Sequence, residues 1–210
     1  DSAGNLYGTT IAGGNSKCNF YYAGCGTVFE LLPIGTSWTE TLLYQFTDTG
    51  GDGSDPEDGV IFDAAGNLYG VTAAGGSHLC IGGCGTVYEL SPVAGGGWNE
   101  KVLYQFSNSR QDGNTPFGNV VFDAQGNLYG TTFDGGGSSA CGTYGCGTVF
   151  KLTPIGGGDW TESIVNNFGA YLGDARNPRA SLLLDGVGNL YGTTQAGGRA
   201  TQGTVFRVQP

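Results

Sequence analysis

The chain has 210 residues, a formal net charge of −10 with only eight lysines and arginines, and 42 glycines. So acidic a protein repels the phosphates of nucleic acid and of anionic membranes, which argues against both as partners, and no apolar run reaches the ~20 residues that span a bilayer. The glycines recur at fixed positions beside Val, Phe, Tyr and Trp, which is typical of turns between short strands rather than of disorder.

Four copies of one motif divide the chain. Gly-Asn-Leu-Tyr-Gly begins at residues 4, 66, 126 and 188, so the successive steps are 62, 60 and 62 residues. A fixed period of this length predicts a repeat architecture. We expect one repeat domain over residues 1–210, made of three full repeats and a half-repeat: 1–62, 63–122, 123–184 and 185–210.

Each full repeat contains four strand signals, which we label b, c, d and a in chain order. In the first repeat these are residues 5–10, 26–31, 38–46 and 60–62. A Gly-Gly loop joins b to c, and an Asp-x-x-x-Pro segment joins d to a. Asp-x-x-Gly-Asn joins a to the next b, and its turn-forming residues predict a tight hairpin. No segment has the period of a helix.

Strands d and a have different patterns. Strand d alternates with period two and is predicted to be half-buried, with one apolar face. In the first repeat that face consists of Trp38, Leu42, Tyr44 and Phe46. The glutamates two residues after each Trp fall on the Trp side, near the margin of the sheet. Strand a has three consecutive apolar residues, which predicts burial on both of its faces.

Four-stranded units of about sixty residues with their own hairpins predict an all-β, propeller-like fold with about 3.5 repeats. A single unit cannot bury both faces, so stacking on neighbours completes each core. A linear β-solenoid is the alternative, although solenoid coils are usually shorter and lack a four-strand meander.

The compound motif Gly-Asn-Leu-Tyr-Gly-Thr-Thr, Gly-Gly, Gly-Thr-Val-Phe resembles the GloVer tandem-repeat family of bacterial surface and secreted proteins over the whole chain. The Asp-x-x-Gly-Asn-Leu-Tyr element is also similar to the hairpin of NHL-type propellers. The GloVer resemblance implies secretion and long repeat arrays, with no established catalytic residues. Because the sequence lacks Met and begins inside a repeat, we expect a trimmed segment of a longer precursor.

The cysteines occur as local pairs, each between a Gly-Gly turn and Gly-Thr-Val, and the fourth repeat has neither partner. A pair gained or lost as a unit predicts a disulfide that closes one loop, in an extracellular or cell-surface compartment. Zinc is the alternative, but these loops lack further ligands and the chain has one His. The predicted disulfides are Cys18–Cys25, Cys80–Cys84 and Cys141–Cys146.

The loop after the first strand d is rich in acids, a composition that suits the oxygen ligands of calcium. The equivalent loops of later repeats are poorer in acids, and none has EF-hand spacing. Capping of turns by Asp explains the recurring acid without any ion, so calcium and turn capping are the two alternatives. The candidate calcium ligands are Asp48, Asp52, Asp55 and Asp58.

The loop tyrosines Tyr21, Tyr22 and Tyr144 could form carbohydrate-stacking platforms, whereas the repeated tyrosines suit packing between units. Tyr21 and Tyr22 are the better candidates, because they occur in one repeat only. Catalysis is not expected. Most acids are repeat positions, no nucleophile motif is present, and the one histidine, His78, has no such motif around it.

These patterns predict an extracellular structural or adhesive repeat protein that is not an enzyme. The alternatives are a glycan-binding surface module and, less consistent with the sequence, a polysaccharide-cleaving enzyme. The strand order leaves incomplete units at both ends, b-c-d at the first and a-b-c at the last. We therefore expect strand addition between copies, in a head-to-tail filament. The alternative is that the missing strands lie elsewhere in the precursor.

Overall fold

A computed structural model describes residues 1–14, 18, 23–109, 111–171 and 173–210. This part of the chain is all-β, with nineteen strands and no helix. In chain order the strands are β1 (Leu6–Thr10), β2 (Thr27–Ile34), β3 (Ser37–Gln45), β4 (Gly53–Ser54), β5 (Ile61–Phe62), β6 (Leu68–Thr72), β7 (Ala74–Gly75), β8 (Thr86–Pro92), β9 (Trp98–Gln105), β10 (Gly113–Asn114), β11 (Val121–Phe122), β12 (Leu128–Thr132), β13 (Asp134–Gly135), β14 (Thr148–Gly156), β15 (Asp159–Asn167), β16 (Arg176–Pro178), β17 (Leu183–Leu184), β18 (Leu190–Ala196) and β19 (Thr204–Val208).

The strands form four open antiparallel sheets in succession. Sheet 1 has the order β1-β2-β3, sheet 2 β5-β6-β8-β9 and sheet 3 β11-β12-β14-β15, while sheet 4 pairs β18 with β16, β17 and β19. The predicted order a-b-c-d is confirmed in sheets 2 and 3, and the outer sheets have the predicted b-c-d and a-b-c strands. Two small ladders that the sequence did not predict, β4–β7 and β10–β13, tie the d–a loop to the residues after strand b.

The a–b hairpin is fixed by one carboxylate per repeat. Oδ1 of Asp63 accepts hydrogen bonds from the backbone N–H groups of Ala65 and Asn67, both at 2.9 Å, while Oδ2 accepts from Asn67 Nδ2 and Tyr69 Oη. Burial raises the pKa of Asp63, but these hydrogen bonds outweigh it and hold the pKa below its usual value. The tight hairpin predicted from Asp-x-x-Gly-Asn is therefore built by the Asp, the Asn and the Tyr together.

Each strand d carries a β-bulge, and the predicted single apolar face of this strand is wrong. In sheet 1, Val28 pairs with Tyr44 and Phe29 pairs with Leu42, so Leu43 is an extra residue. An extra residue reverses the alternation of side chains beyond it. Trp38 and Leu42 consequently lie on the opposite side of the sheet from Phe46, which is fully buried with Leu43 in the core.

The sheets stack face to face through three apolar cores. Trp98 packs in the core between sheets 1 and 2, whereas Leu103 and Phe106, beyond the bulge of the same strand, lie in the core between sheets 2 and 3. We call the side of a sheet that meets the preceding sheet its leading face, and the side that meets the following sheet its trailing face. The third core lies between sheets 3 and 4.

Strand a was predicted to be buried on both faces, and this holds only where a sheet lies on each side. In sheet 3, Val120 packs in the core with sheet 2, and Val121 packs against the core with sheet 4. In sheet 4 the equivalent of Val121 is Leu183, which is 74% exposed. Among the described residues no sheet covers the trailing face there, so the prediction is wrong for Leu183.

Candidate functional site

The contact between consecutive sheets is the same in each repeat. The Phe at the end of strand d packs edge-on against an aromatic ring on strand c of the next sheet, with ring centroids about 5 Å apart. The three pairs are Phe46–Tyr88 at 5.1 Å, Phe106–Phe150 at 5.1 Å and Phe168–Phe206 at 4.9 Å. Because each ring occupies an equivalent position in its repeat, the repeated sequence encodes the interface between sheets as well as the strands.

The loop between strands d and a also contacts the segment before strand c. The backbone N–H of Thr115 donates to the carbonyl oxygen of Cys84, in the same repeat, at 2.9 Å. Gly85 has φ +88, and a Cβ added there would lie 2.5 Å from Cδ of Pro116. This contact therefore requires both the glycine of Gly-Thr-Val and the proline of Asp-x-x-x-Pro.

The starts of the three strands a converge at one point. The backbone N–H of Asn119 donates to Oδ2 of Asp58 at 3.1 Å and to Oγ of Ser181 at 2.9 Å, and the Ser181 hydroxyl itself donates to Asp58. These residues precede β11, β5 and β17, so the junction joins sheets 2, 3 and 4. Burial raises the pKa of Asp58, but the hydrogen bonds outweigh it and lower the pKa overall.

An ion pair extends the same junction. Nη2 of Arg179 lies 3.0 Å from Oε2 of Glu57, and its guanidinium carbon lies 4.4 Å from the centroid of the Phe117 ring. Each of these residues precedes a different strand a. The ion pair therefore also spans from sheet 2 to sheet 4.

Two glutamates of strand d, on the Trp side of the strand as expected, lie between sheets. Glu100 and Glu162 are half-buried, and one carboxyl oxygen of each is buried with no hydrogen-bond partner in the described part of the chain. Burial, together with the nearby carboxylates Asp52 and Asp112 respectively, raises the pKa of each glutamate to about 7. Glu40, at the same position in sheet 1, is exposed.

The two outermost faces of the stack are uncovered. On the leading face of sheet 1, Leu6 is 54% exposed, whereas its equivalents Leu68, Leu128 and Leu190 are fully buried. On the trailing face of sheet 4, Val205 is 79% exposed, whereas its equivalent Val28 is fully buried. Apolar positions that are core elsewhere thus meet solvent at both ends.

The three predicted disulfides are present. Cys18–Cys25, Cys80–Cys84 and Cys141–Cys146 are bonded, with Cα–Cα distances of 5.0, 5.0 and 5.2 Å, and no free cysteine occurs in the described part of the chain. Their second cysteines, Cys25, Cys84 and Cys146, are fully buried in the cores between sheets. Each bridge therefore fixes a b–c loop to the edge of a core.

The candidate calcium ligands occupy separate environments. Asp52 caps its own loop by accepting from the backbone and hydroxyl of Thr47 and from the N–H of Gly53, and Asp58 belongs to the junction of the strands a. Asp48 and Asp55 are close enough for the charge of Asp48 to add to the burial that raises the pKa of Asp55 to about 6. Among the described residues, no three His, Cys, Asp or Glu side chains are grouped to hold a metal ion, so calcium binding stays a prediction of the sequence.

Tyr21 and Tyr22, the candidate carbohydrate-stacking residues, lie outside the described residues. His78 lies near Asp48, where its charge lowers the pKa of that carboxyl against the larger effect of burial. In the part of the chain that the structure describes, no helix is long and apolar enough to cross a membrane.

Comparison with known families decides the relationship of the chain. The family described as the Gloeobacter/Verrucomicrobia repeat matches residues 1–143, which is more than half of the sequence. The chain belongs to this family. A comparison with curated proteins finds no match. The resemblance stated from the sequence is thus confirmed at the level of the Gloeobacter/Verrucomicrobia repeat.

Three residues beside the loop residue Tyr144 were missed from the sequence. The disulfide loops of the second and third copies of the Gloeobacter/Verrucomicrobia repeat expose Leu79, Ile81 and Tyr144, and Asp134 lies beside them. The sequence does mark Asp134 as unusual, because this residue stands where the other three repeats carry Ala12, Ala74 and Ala196.

Proposed function

We propose that the protein is an extracellular, non-catalytic structural repeat protein with a propeller-like arrangement of sheets, whose copies join end to end. The observation that carries this proposal is the pair of uncovered faces. A face-to-face contact like the one between sheets 1 and 2, but without the strand d Phe that sheet 4 lacks, would join the trailing face of one copy's sheet 4 to the leading face of another copy's sheet 1.

The propeller-like arrangement is supported by the junction of the strands a. Stacked sheets lie about 10 Å apart, so sheets 2 and 4 of a straight stack would be separated by about 20 Å. Asp58 and Ser181 lie just before strands of these two sheets, β5 and β17, and are nevertheless hydrogen-bonded to each other. Such contact across an intervening sheet favours blades radiating from a common axis over a linear solenoid.

The end-to-end contact is supported by matching positions on the two free faces. The leading face of sheet 1 offers Leu6, Trp38 and Leu42, exposed by 54%, 51% and 44%. The trailing face of sheet 4 offers Leu183 and Val205. Covering large apolar side chains contributes about 1.5–3 kcal/mol each when burial is complete, enough for several of them together to support association.

The edges of the terminal sheets add backbone groups to this contact. Within the described part of residues 1–210, no strand a pairs with β1 and no strand d pairs with β19, although both positions are paired in sheets 2 and 3. Unpaired strand edges favour the addition of another strand. A contact between two different surfaces that repeats without closing makes a filament.

Placement outside the cell is supported by the cysteines. All three pairs are oxidised in the structure, and structural disulfides persist in oxidising compartments. The acidic composition suits a surface that stays hydrated while its ends associate.

Light scattering tests the assembly. For the 210-residue chain, the apparent mass should rise above 21.5 kDa as concentration increases, because the two end faces meet by mass action. Leu42→Glu and Val205→Glu should each abolish the rise. Ile155→Glu is the matched control, since Ile155 is 62% exposed but lies on neither end face. A constant monomer mass across the whole range would refute end-to-end association.

A further inference from the structure

A cavity of about 260 Å³ lies between the disulfide loops of the second and third repeats. Its apolar wall consists of Leu79, Ile81 and Tyr144, which are 68%, 103% and 71% exposed. Its polar wall consists of Asp134, Asn114 and Asn108. An adjoining hollow of about 10 Å³ shares Asn108, Asn114 and Tyr144, and is large enough for one water.

The polar wall is held in place by backbone pairing. Asn114 and Asp134 are direct partners in the β10–β13 ladder, so their side chains project beside each other. At the two equivalent positions in the described chain this pair is Ser54 with Ala74 and Arg176 with Ala196. The amide and carboxylate therefore occur together only where the second repeat meets the third.

The hydrogen-bonding groups of this wall are not used up within the protein. The carboxylate of Asp134 has no hydrogen-bond partner among the described residues, and burial raises its pKa to about 6. Asn114 is buried and accepts from the Thr115 hydroxyl at 3.1 Å through Oδ1, which leaves its Nδ2 hydrogens to donate. Asn108 uses Nδ2 to hold the Leu79 carbonyl at 3.2 Å, which leaves its Oδ1 to accept.

We propose that this cavity binds one hexose ring of a glycan. The wall offers two acceptors and one donor in fixed positions, and a hydroxyl group both donates and accepts. The C–H surface of a sugar ring fits against Tyr144 and the aliphatic wall, as amphipathic ligands do in sites with few polar groups. The volume lies just below the usual range of ligand sites, which suits a single ring rather than a long chain.

The loops that carry the wall are pre-organised. Cys80–Cys84 and Cys141–Cys146 close them, and the Asn108 hydrogen bond joins the first loop to the segment after strand d. Fixing a loop before binding reduces the conformational entropy lost on association. This site does not depend on end-to-end assembly, because none of its residues lies on an end face.

The test is an NMR or calorimetric titration of the 210-residue chain with glucose, galactose, mannose and N-acetylglucosamine. We expect at least one of them to saturate the protein, with a dissociation constant on the order of 1 mM. Asp134→Ala and Tyr144→Ala should each weaken that binding at least about tenfold. Asp134→Ala restores the residue that the other repeats carry, so it should fold. Tyr171→Ala is the control, because Tyr171 is 69% exposed but outside the cavity.

n-Butylamine separates a sugar site from a site for ammonium groups. If butylamine binds as tightly as every sugar and depends on Asp134, the cavity recognises a cation and the sugar proposal is wrong. If no sugar saturates the chain, or if Asp134→Ala and Tyr144→Ala leave the binding unchanged, the proposal is equally wrong. Binding that survives in Val205→Glu would show that the site functions without end-to-end contact.

Discussion

The leading faces of sheets 1 and 2 are built from the same repeat positions but have opposite environments. Leu68 in sheet 2 is fully buried, because the trailing face of sheet 1 lies on it; Leu6, at the same position in sheet 1, is 54% exposed. The residue type and the strand are the same, so the difference comes from the neighbour alone. In a repeat protein, a side chain becomes core only when another repeat covers it.

The largest expected effect is the difference between two identical substitutions. Leu68→Ala removes a side chain from a closed core and should lower the free energy of unfolding by about 2–5 kcal/mol. Leu6→Ala should lower it by about 1 kcal/mol or less, since the side chain is half in solvent. Urea denaturation at a concentration where the chain is monomeric measures both. Equal losses would mean that the two faces are covered alike.

Reduction of the disulfides should have the next largest effect. The bridges join cysteines separated by seven, four and five residues, and a loop of this size contributes roughly 2 kcal/mol by restricting the unfolded chain. Urea denaturation with and without reductant measures the loss. Hydrogen exchange within β18 and β19 is the internal control, because the fourth repeat has no disulfide. An unchanged urea midpoint after complete reduction would contradict this expectation.

The strand d glutamates Glu100 and Glu40 should differ by a smaller amount, in how they make stability depend on pH. The pKa of Glu100 is raised to about 7 by burial and by Asp52, so the folded state holds this proton more tightly than the unfolded state. This difference in pKa stabilises the folded state by about 1 kcal/mol after screening by solvent. The stabilisation is fully present below about pH 4.5 and is lost as the pH rises to about 7.

Glu100→Gln should therefore flatten the fall in stability between about pH 4.5 and pH 7, as measured by urea midpoints at each pH. Glu40→Gln is the matched control, since Glu40 occupies the same position on the uncovered face of sheet 1. A steeper profile in Glu100→Gln, or the same change in both variants, would be incompatible with an inter-sheet carboxyl.

Local chemistry made much of this fold predictable from the sequence. The Asp-x-x-Gly-Asn hairpins follow from hydrogen bonds within a few residues, and the cysteine pairs are close in the chain, so the strand order and the disulfides were both predicted. The bulge at Leu43 was not, because Leu42 and Leu43 are both apolar and an alternation pattern cannot show which of them is extra.

Contacts between distant repeats could not be predicted from the sequence either. Asp58 and Ser181 meet because the segments before β5, β11 and β17 converge, and nothing local in either segment indicates the other. Asp134 was different, because its departure from Ala at the same repeat position was visible, but its role depends on the loops that fold around it. Comparison of equivalent positions finds such residues; only the packing of the loops shows what they face.

A mixture of two end-blocked variants tests the central claim, that the trailing face of sheet 4 binds the leading face of sheet 1. Leu42→Glu leaves the trailing face intact, and Val205→Glu leaves the leading face intact. Each variant alone should stay monomeric, whereas an equimolar mixture should form heterodimers and nothing larger, as measured by light scattering and native mass spectrometry. Homodimers of either variant, or a mixture that remains monomeric at concentrations where the unmodified chain associates, would contradict a head-to-tail contact between these two faces.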